Sequence, residues 1–322
     1  MAKSAHPERE TQNRIINFFQ KELGYKYLGN LEESENYNVR WGDWKSFLTG
    51  SGYSAAFIES LQNEFNEILA DFSQSPYHTN KEVYRILKYG LKLAEHPGES
   101  PKTVYFINWE EPEKNNFYIA EEVTVNGNVE KRPDIVLYIN GIAVAVMELK
   151  KSTVSVADGI RQNVTNQREQ FIQRFFSTVQ ICAAANDTEG LRYGTSGTTE
   201  KYYLEWKEDN FTDQLQDKDD LDKEIEAACS KQLNLLEKQC YRIFQKERLL
   251  DIIHNFIIYD SGIKKVCRYN QFYAIKRCQK RLARNKGGIV WHTQGSGKSL
   301  TMVWLTKWIL ENITGARVLI IT

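Results

Sequence analysis

Residues 133–151 read PDIVLYINGIAVAVMELKK, and the way this stretch folds decides the architecture of the larger part of the chain. Asp134–Ile139 and Ile142–Leu149 flank Asn140-Gly141, a strong turn dipeptide between two β-rich runs. Both arms are apolar at nearly every position instead of alternating, the pattern of strands buried on both faces in the middle of an α/β sheet. The exceptions sit at one end, where Asp134 opens the first arm and Glu148 and Lys150 close the second. Residues two apart in a strand share a face, so Glu148 and Lys150 point together. With Asp134 opposite them, two carboxylates and an ammonium converge at the end of an apolar sheet. Two carboxylates are the usual protein share of a Mg²⁺ site, and about 4–6 Å is the separation at which they can share the ion.

Parity makes this expectation strict. A two-residue loop at Asn140-Gly141 pairs Asp134 with Met147 and turns Glu148 to the wrong face. A shared site therefore requires an odd-length loop or a bulge, which Gly141 in the left-handed conformation can supply as a G1 bulge. The alternative is that these charges merely begin and end strands in solvent. The Pro133-Asp134 junction, the apolar arms and a second, nucleotide-type motif favour the site.

Working outward, Glu8–Leu23 has helical spacing, with Ile15, Ile16, Phe18, Phe19 and Leu23 on one stripe and Gly24 as its stop. Ala55–Ala70 and Lys81–Ala94 also read as helices, and Thr103–Asn108 and Phe117–Val125 as strands. After the hairpin, Val156–Phe176 is predicted helical and Thr178–Ala185 a further buried strand. Residues 205–226 hold ten acidic residues against three lysines, a solvated surface or linker, and Leu221–Tyr259 is predicted helical. The balance then inverts, because Lys264–Lys286 carries nine Lys or Arg and no acid. That stretch suits DNA phosphates and an ordinary solvated helix face equally.

The second motif is His292-Thr293-Gln294-Gly295-Ser296-Gly297-Lys298-Ser299, between an apolar strand-like run from Gly287 and a helix from Lys298. This is the strand–loop–helix setting of a phosphate-binding loop. Gly295 and Gly297 admit close approach of backbone amides from Thr293 to Ser299, Ser296 included. Lys298 reaches the β/γ-phosphates of ATP and Ser299 can ligate Mg²⁺. His292 stands where the strict motif has its first glycine. Upstream, Arg268-Tyr269-Asn270-Gln271-Phe272 places Gln271 as a candidate reader of adenine, whose N6 and N7 a glutamine amide can pair with. Arg317–Thr322 (RVLIIT) reads as a second strand of the same unit.

Composition sets limits around these motifs. The 322 residues are 41% hydrophobic and 26% charged, enough for a sizeable core. The 42 basic and 42 acidic residues cancel, so contact with nucleic acid must come from local patches. Five scattered cysteines form no C-x-x-C, which favours a reducing, cytoplasmic setting over a disulfide or zinc framework. The N-terminus MAKSAHPERE has no signal-peptide character, and no run approaches the roughly 18 apolar residues of a membrane span.

Together the strings NGIAVAVMELKK, ANDTEGLRYGT and WHTQGSGKSLTMVWL resemble the N-terminal part of the restriction (R) subunit of type I restriction–modification enzymes, over essentially the whole chain. The resemblance implies a mixed-sheet, restriction-endonuclease-like PD-(D/E)xK domain followed by the start of a RecA-like, superfamily 2 helicase-type translocase. On that pattern residues 1–205 form the nuclease domain, 206–262 an acidic and helical connector, and 263–322 an incomplete ATPase piece. Asp134 and Glu148 take the metal-ligand positions and Lys150 that of the catalytic lysine. The family's first helix often adds an acid to the metal site, for which Glu10 is preferred over Glu8. Its Q-x-x-x-Y element falls on Gln162 with Asn166 in the tyrosine place, or on Gln167 with Phe171. The implied cofactors are Mg²⁺ and ATP. The implied partners are double-stranded DNA and the methyltransferase and specificity subunits of the same system. About 60 residues cannot build a RecA-like sheet, so the expectation is a fragment or truncated product without ATP hydrolysis of its own. A nuclease-dead DNA-binding or assembly module is the rival reading, and a small-molecule kinase a distant third.

Overall fold

The structure, a computed structural model, describes residues 7–207, 227, 229, 230 and 232–321. Its elements run α1 (Pro7–Lys21), β1 (Lys26–Asn30), α2 (Trp41–Gly50), α3 (Ala55–Ala70), α4 (Pro76–Tyr89), β2 (Leu91–Leu93), β3 (Lys102–Val104), β4 (Phe117–Glu121), β5 (Ile135–Ile139) and β6 (Ile142–Leu149). They continue with α5 (Val156–Asn166), β7 (Ile181–Asn186), β8 (Gly190–Gly194), α6 (Leu235–Phe244), α7 (Lys246–Asn255), β9 (Ile257–Asp260), β10 (Ile263–Val266), α8 (Tyr269–Leu282) and α9 (Lys298–Asn312).

The apolar hairpin lies at the centre, as its composition requires. One six-stranded sheet has the order β1-β4-β5-β6-β7-β8, with β1–β4 and β6–β7 parallel and the other pairs antiparallel. Every residue of β5 and β6 is buried. Ile135, Leu137 and Ile139 face the large core shared with α1, α3 and α4, whereas Val136 and Tyr138 face a second core with Phe175, Phe176 and Cys182. Each such buried aliphatic side chain contributes about 1.5–3 kcal/mol. Helix α5 crosses over from β6 to its parallel neighbour β7 and adds Val156 and Ile160 against Ala184.

The hairpin contains a bulge, but not at the turn. Ile139 pairs with Ile142 and Tyr138 with Ala143, so Asn140-Gly141 is a two-residue turn with φ of 50° and 84° at its two residues. The register then slips, because Leu137 pairs with Ala145 and Ile135 with Met147. Val144 is the extra residue. Its carbonyl accepts from the Gln180 N–H at 2.8 Å, and the Ala143 N–H donates to Asn38 O at 2.8 Å. Val144 and Ala145 consequently both face the large core, and from Val146 onward the strand has exchanged faces. The G1 bulge expected at Gly141 is thus corrected to a bulge within β6, and its effect on parity is the one required.

Other expectations shift at element ends. The helix expected over Lys81–Ala94 runs Pro76–Tyr89, with Ser75 capping it and Gly90 ending it at φ 80°. That expected over Val156–Phe176 stops at Asn166, whose carbonyl accepts from Ile172 N–H while a 3-10 turn spans Gln173–Ser177. Leu221–Tyr259 is not one helical region, since β9 pairs with β10 from Ile257. The acidic stretch lies largely outside the described residues. Of the 206–262 connector, Trp206, Leu236, Cys240, Phe244, Leu249 and Ile253 join the core of the N-terminal fold. The strands expected at Gly287–His292 and Arg317–Thr322 pair with nothing among the described residues, and Ile289, Trp291, Leu319 and Ile321 stand 83–92% exposed.

Candidate active site

Since the bulge returns β6 to the parity of Asp134, Asp134, Glu148 and Lys150 share one face at one end of the sheet. Asp134 is fixed by its neighbour strand, where the Leu149 N–H donates to Asp134 Oδ2 at 2.6 Å. Lys150 Nζ lies 3.9 Å from Asp134 Oδ2, donates to Leu149 O at 2.7 Å and stands 3.4 Å from Glu8 Oε1. Glu148 is completely buried, accepts from Asn166 Nδ2 at 3.2 Å through Oε1, and leaves Oε2 without any donor. Burial pushes the Asp134 carboxyl up to about 6, reinforced by the charges of Glu122 and Glu8 and opposed by Lys150 and the Leu149 N–H. Burial and then the Asp134 charge beside it hold Glu148 well above the carboxylate range.

The two acids compete for a cation that the protein does not provide in full. A hard divalent ion fits this chemistry, with two carboxylates, one of which, Glu148, keeps an orphaned buried oxygen. Among the described residues, no group of three or more His, Cys, Asp or Glu is arranged to hold a metal. Glu10, the preferred third ligand, is exposed, and the first-helix acid at the site is Glu8.

Three supporting residues were not singled out in the sequence. Gln12, four residues after Glu8 and buried, donates through Nε2 to Asp134 O and to Glu122 Oε1, each at 3.1 Å. Glu122, at φ 50°, donates its N–H to Asp134 O at 3.0 Å. Gly159 on α5 lets the helix settle onto the strand ends, since a Cβ there would lie 3.1 Å from Ala184, 3.4 Å from Lys150 and 3.5 Å from Glu148. Gln162 is half-buried one helical turn before Asn166, and it is Asn166 that reaches Glu148. Gln167 faces away, accepting from the Gly197 N–H at 2.7 Å and donating to Asn163 O at 3.0 Å.

The second motif is a loop closed on itself. Gly295 and Gly297 adopt φ of 78° and 86°, and a Cβ at Gly297 would fall 2.3 Å from Gln271 Nε2. Gly297 caps α9. Lys298 Nζ donates to Thr293 O at 3.1 Å, Ser296 Oγ donates to the same carbonyl at 2.7 Å, and Ser299 is exposed. Gln271 is buried beneath this loop. Its Oε1 accepts from the Arg268 N–H at 2.8 Å and its Nε2 donates to Gly297 O at 3.0 Å. The geometry makes it a brace for the loop rather than an exposed amide ready for adenine. Helix α9 is tied at its far end to α4, where Lys88 Nζ meets Glu311 Oε2 at 2.8 Å and the Tyr89 hydroxyl donates to Glu311 Oε1 at 2.7 Å.

A mixed α/β sheet carrying an acid pair and a lysine on one bulged hairpin defines a restriction-endonuclease-like fold, followed by a partial ATPase-like segment. Residues 6–202 match the family described as Type I restriction enzyme R protein N terminus, and residues 270–322 match SWI2/SNF2 ATPase. The chain belongs to the type I restriction enzyme R protein N-terminus family. A putative type I restriction enzyme MjaIXP endonuclease subunit of Methanocaldococcus jannaschii is 27% identical over 323 residues, covering 90% of this chain and 30% of its own. The type I restriction enzyme HindI endonuclease subunit of Haemophilus influenzae is 26% identical over 250 residues, 70% of this chain and 22% of its own. The SauMSSORF170P endonuclease subunit of Staphylococcus aureus is 25% identical over 228 residues, 68% and 22% respectively. The chain thus spans less than a third of the length of these relatives. No helix among the described residues is long and apolar enough to cross a membrane.

Proposed function

We propose that this chain carries the Mg²⁺-dependent DNA-cleaving centre of a type I restriction enzyme R subunit, joined to the phosphate loop of its ATP-driven translocase. The observation that carries the reading is the bulge at Val144, which brings Asp134 and Glu148 to one face beside Lys150. Asp134 and Glu148 would hold Mg²⁺, with Glu8 near Lys150 at the edge of the site. Bound Mg²⁺ would supply Lewis-acid stabilisation of the charge developing on the phosphodiester. Lys150, able to swing from Leu149 O, orients the attacking water and donates to a phosphate oxygen. Asn166 and the Leu149 N–H hold the two carboxylates in place. Thr293–Ser299 would receive the phosphates of ATP, Lys298 exchanging Thr293 O for the β/γ-phosphates and Ser299 supplying a ligand to the accompanying Mg²⁺. The partners proposed are double-stranded DNA and the specificity and methyltransferase subunits, in the cytoplasm.

The test uses a complete R subunit carrying this segment, assembled with its partners. Lys150→Ala should abolish plasmid cleavage and leave DNA-stimulated ATPase activity, whereas Lys298→Ala should abolish both, since cutting would follow translocation. Retained cleavage in Lys150→Ala would sink the nuclease assignment. Loss of ATPase activity in a folded, assembled Lys150→Ala complex would make this constellation a structural junction instead.

A further inference from the structure

Away from the acid pair lies a cavity of about 230 Å³ where α4, the 3-10 turn at Gln173–Ser177, the loop after β8 and the β9–β10 hairpin meet. It shares no lining residue with the carboxylate site. Its walls are mostly apolar and flat, with Phe72, Pro76, Tyr77, Phe176 and Tyr259, and one charged side chain enters it, Lys264.

Lys264 is only 5% exposed. Its Nζ reaches Gln180 Oε1 at 2.7 Å, Asn80 Oδ1 at 2.8 Å, Val179 O at 3.2 Å and Ser196 Oγ at 3.4 Å, and it lies 5.5 Å from the Tyr259 ring. Every one of these neighbours is uncharged. Among the described residues no carboxylate is within ion-pair range, and burial alone draws the amine well below its ordinary value. A buried cation with neutral partners is costly unless an opposite charge reaches it. The cavity that Lys264 lines leaves space for one. The surroundings are also fixed in advance, since the Asn80 amide donates to Phe176 O and Ser177 O at 3.0 and 2.9 Å while its oxygen accepts from Tyr259 Oη at 2.5 Å. A second cation, Arg174, sits over the Phe72 ring at the same wall.

We infer that this cavity binds a small carboxylate with a flat apolar body, its carboxylate compensating Lys264 and its body lying between Tyr77, Tyr259 and Phe176. The volume suits a ligand near benzoate in size, below the usual range of about 300–1,000 Å³ for larger small-molecule sites. A bound carboxylate would brace the β9–β10 hairpin, which leads into the segment beneath the phosphate loop, against the N-terminal fold. Nothing in this inference depends on the acid pair being a nuclease.

The test is thermal unfolding of the whole chain with benzoate, acetate or phosphate. Benzoate at about a hundredfold excess over its Kd should raise the melting temperature by roughly 5 °C. Lys264→Met, one atom shorter and uncharged, should lose that response. Acetate and phosphate should bind at least tenfold more weakly than benzoate. If Lys264→Met does not fold, Tyr77→Ala removes one wall while keeping the lysine, and it must weaken benzoate at least tenfold. No benzoate response in the unaltered protein, or an equal response in either variant, overturns the site. Phosphate or acetate matching benzoate reduces it to an adventitious ion only.

Discussion

The two motif-bearing regions differ in what completes them. The β5–β6 hairpin is enclosed on both faces and paired along both edges, and its two acids are placed by hydrogen bonds from Leu149, Asn166 and the Gln12–Asp134 brace. The phosphate-loop segment has the more specific sequence pattern but less built structure around it. Its flanking apolar runs lack ladder partners among the described residues, Lys298 is spent on a backbone carbonyl, and its fixed supports include Gln271 below and Lys88 with Tyr89 at the far end of α9. A motif that is short and local can be read with confidence before its chemistry is assembled. A motif whose members are fourteen residues apart, Asp134 and Glu148, acquires its meaning from register.

The largest effect expected from breaking this contrast comes from inserting one alanine between Val146 and Met147. With the bulge kept at Val144, the added residue takes the place opposite Ile135, so Met147 comes opposite Asp134 and Glu148 and Lys150 turn away from it. In a complete R subunit, cleavage should fall by ~10³-fold or more, since misplacement of even 1 Å can cost about 100-fold. Circular dichroism and ATPase activity should persist, because both arms remain apolar on either face. Cleavage retained in an insertion variant that keeps its fold would separate the acid pair from the chemistry.

An intermediate effect should appear in stability. The Asp134 carboxyl is raised in the folded protein to about 6, so between the unfolded value near 4 and pH 6 the folded state binds more protons than the unfolded state. Stability therefore falls as pH rises through that window and levels off above it. Asp134→Asn removes this contribution and should stabilise the metal-free protein at pH 7 by about 2–3 kcal/mol, while keeping an acceptor for the Leu149 N–H. Mg²⁺ should raise the melting temperature of the unaltered protein and not of the variant. Denaturant titrations at pH 5 and pH 7 check the sign, and a variant less stable at pH 7 would mean that the site is not poised by burial.

The smallest effect belongs to the other region. Lys88 is almost wholly buried and Glu311 one-quarter exposed, so Glu311→Gln strands a buried ammonium. It should loosen α9 by about 1–2 kcal/mol, and pairing it with Lys88→Met should restore most of the loss. Hydrogen exchange of the α9 amides reads this directly. Unchanged exchange in Glu311→Gln would show that the helix is held by apolar packing through Trp304 alone.

Much of this was legible in the chain itself. Apolar arms around Asn140-Gly141 give a central buried hairpin, and parity alone demands a bulge. The place of the bulge was not legible, because it depends on Asn38 and Gln180, partners remote in sequence that take the hydrogen bonds of Ala143 and Val144. Glu8 could have been found, since it shares the helical stripe of Thr11, Gln12, Ile15 and Phe19, whereas Glu10 falls with exposed Asn13 and Asn17. Gln271 carried a pattern suited to adenine, yet a tertiary contact with Gly297 claims its amide. Strand propensity at Ile289–Trp291 and Val318–Ile321 could not become a strand without a neighbour to pair with, since β-character is realised in the ladder and not in the single segment.

The bulge has one more consequence. Since β5 and β6 are oily on both sides, hydropathy gives no penalty for turning them over, and the hairpin would bury equally well in either phase. Val144 therefore sets the phase by going uncounted: one residue, itself without chemistry, is left out of the ladder, and the rest of the strand then lies the right way up. Single-residue changes of length should consequently fall into two heritable classes, loss of Val144 itself, which leaves Glu148 opposite Asp134, and a residue added between Ala145 and Glu148, which silences the centre in a folded protein, a distinction invisible to any score that counts only substitutions.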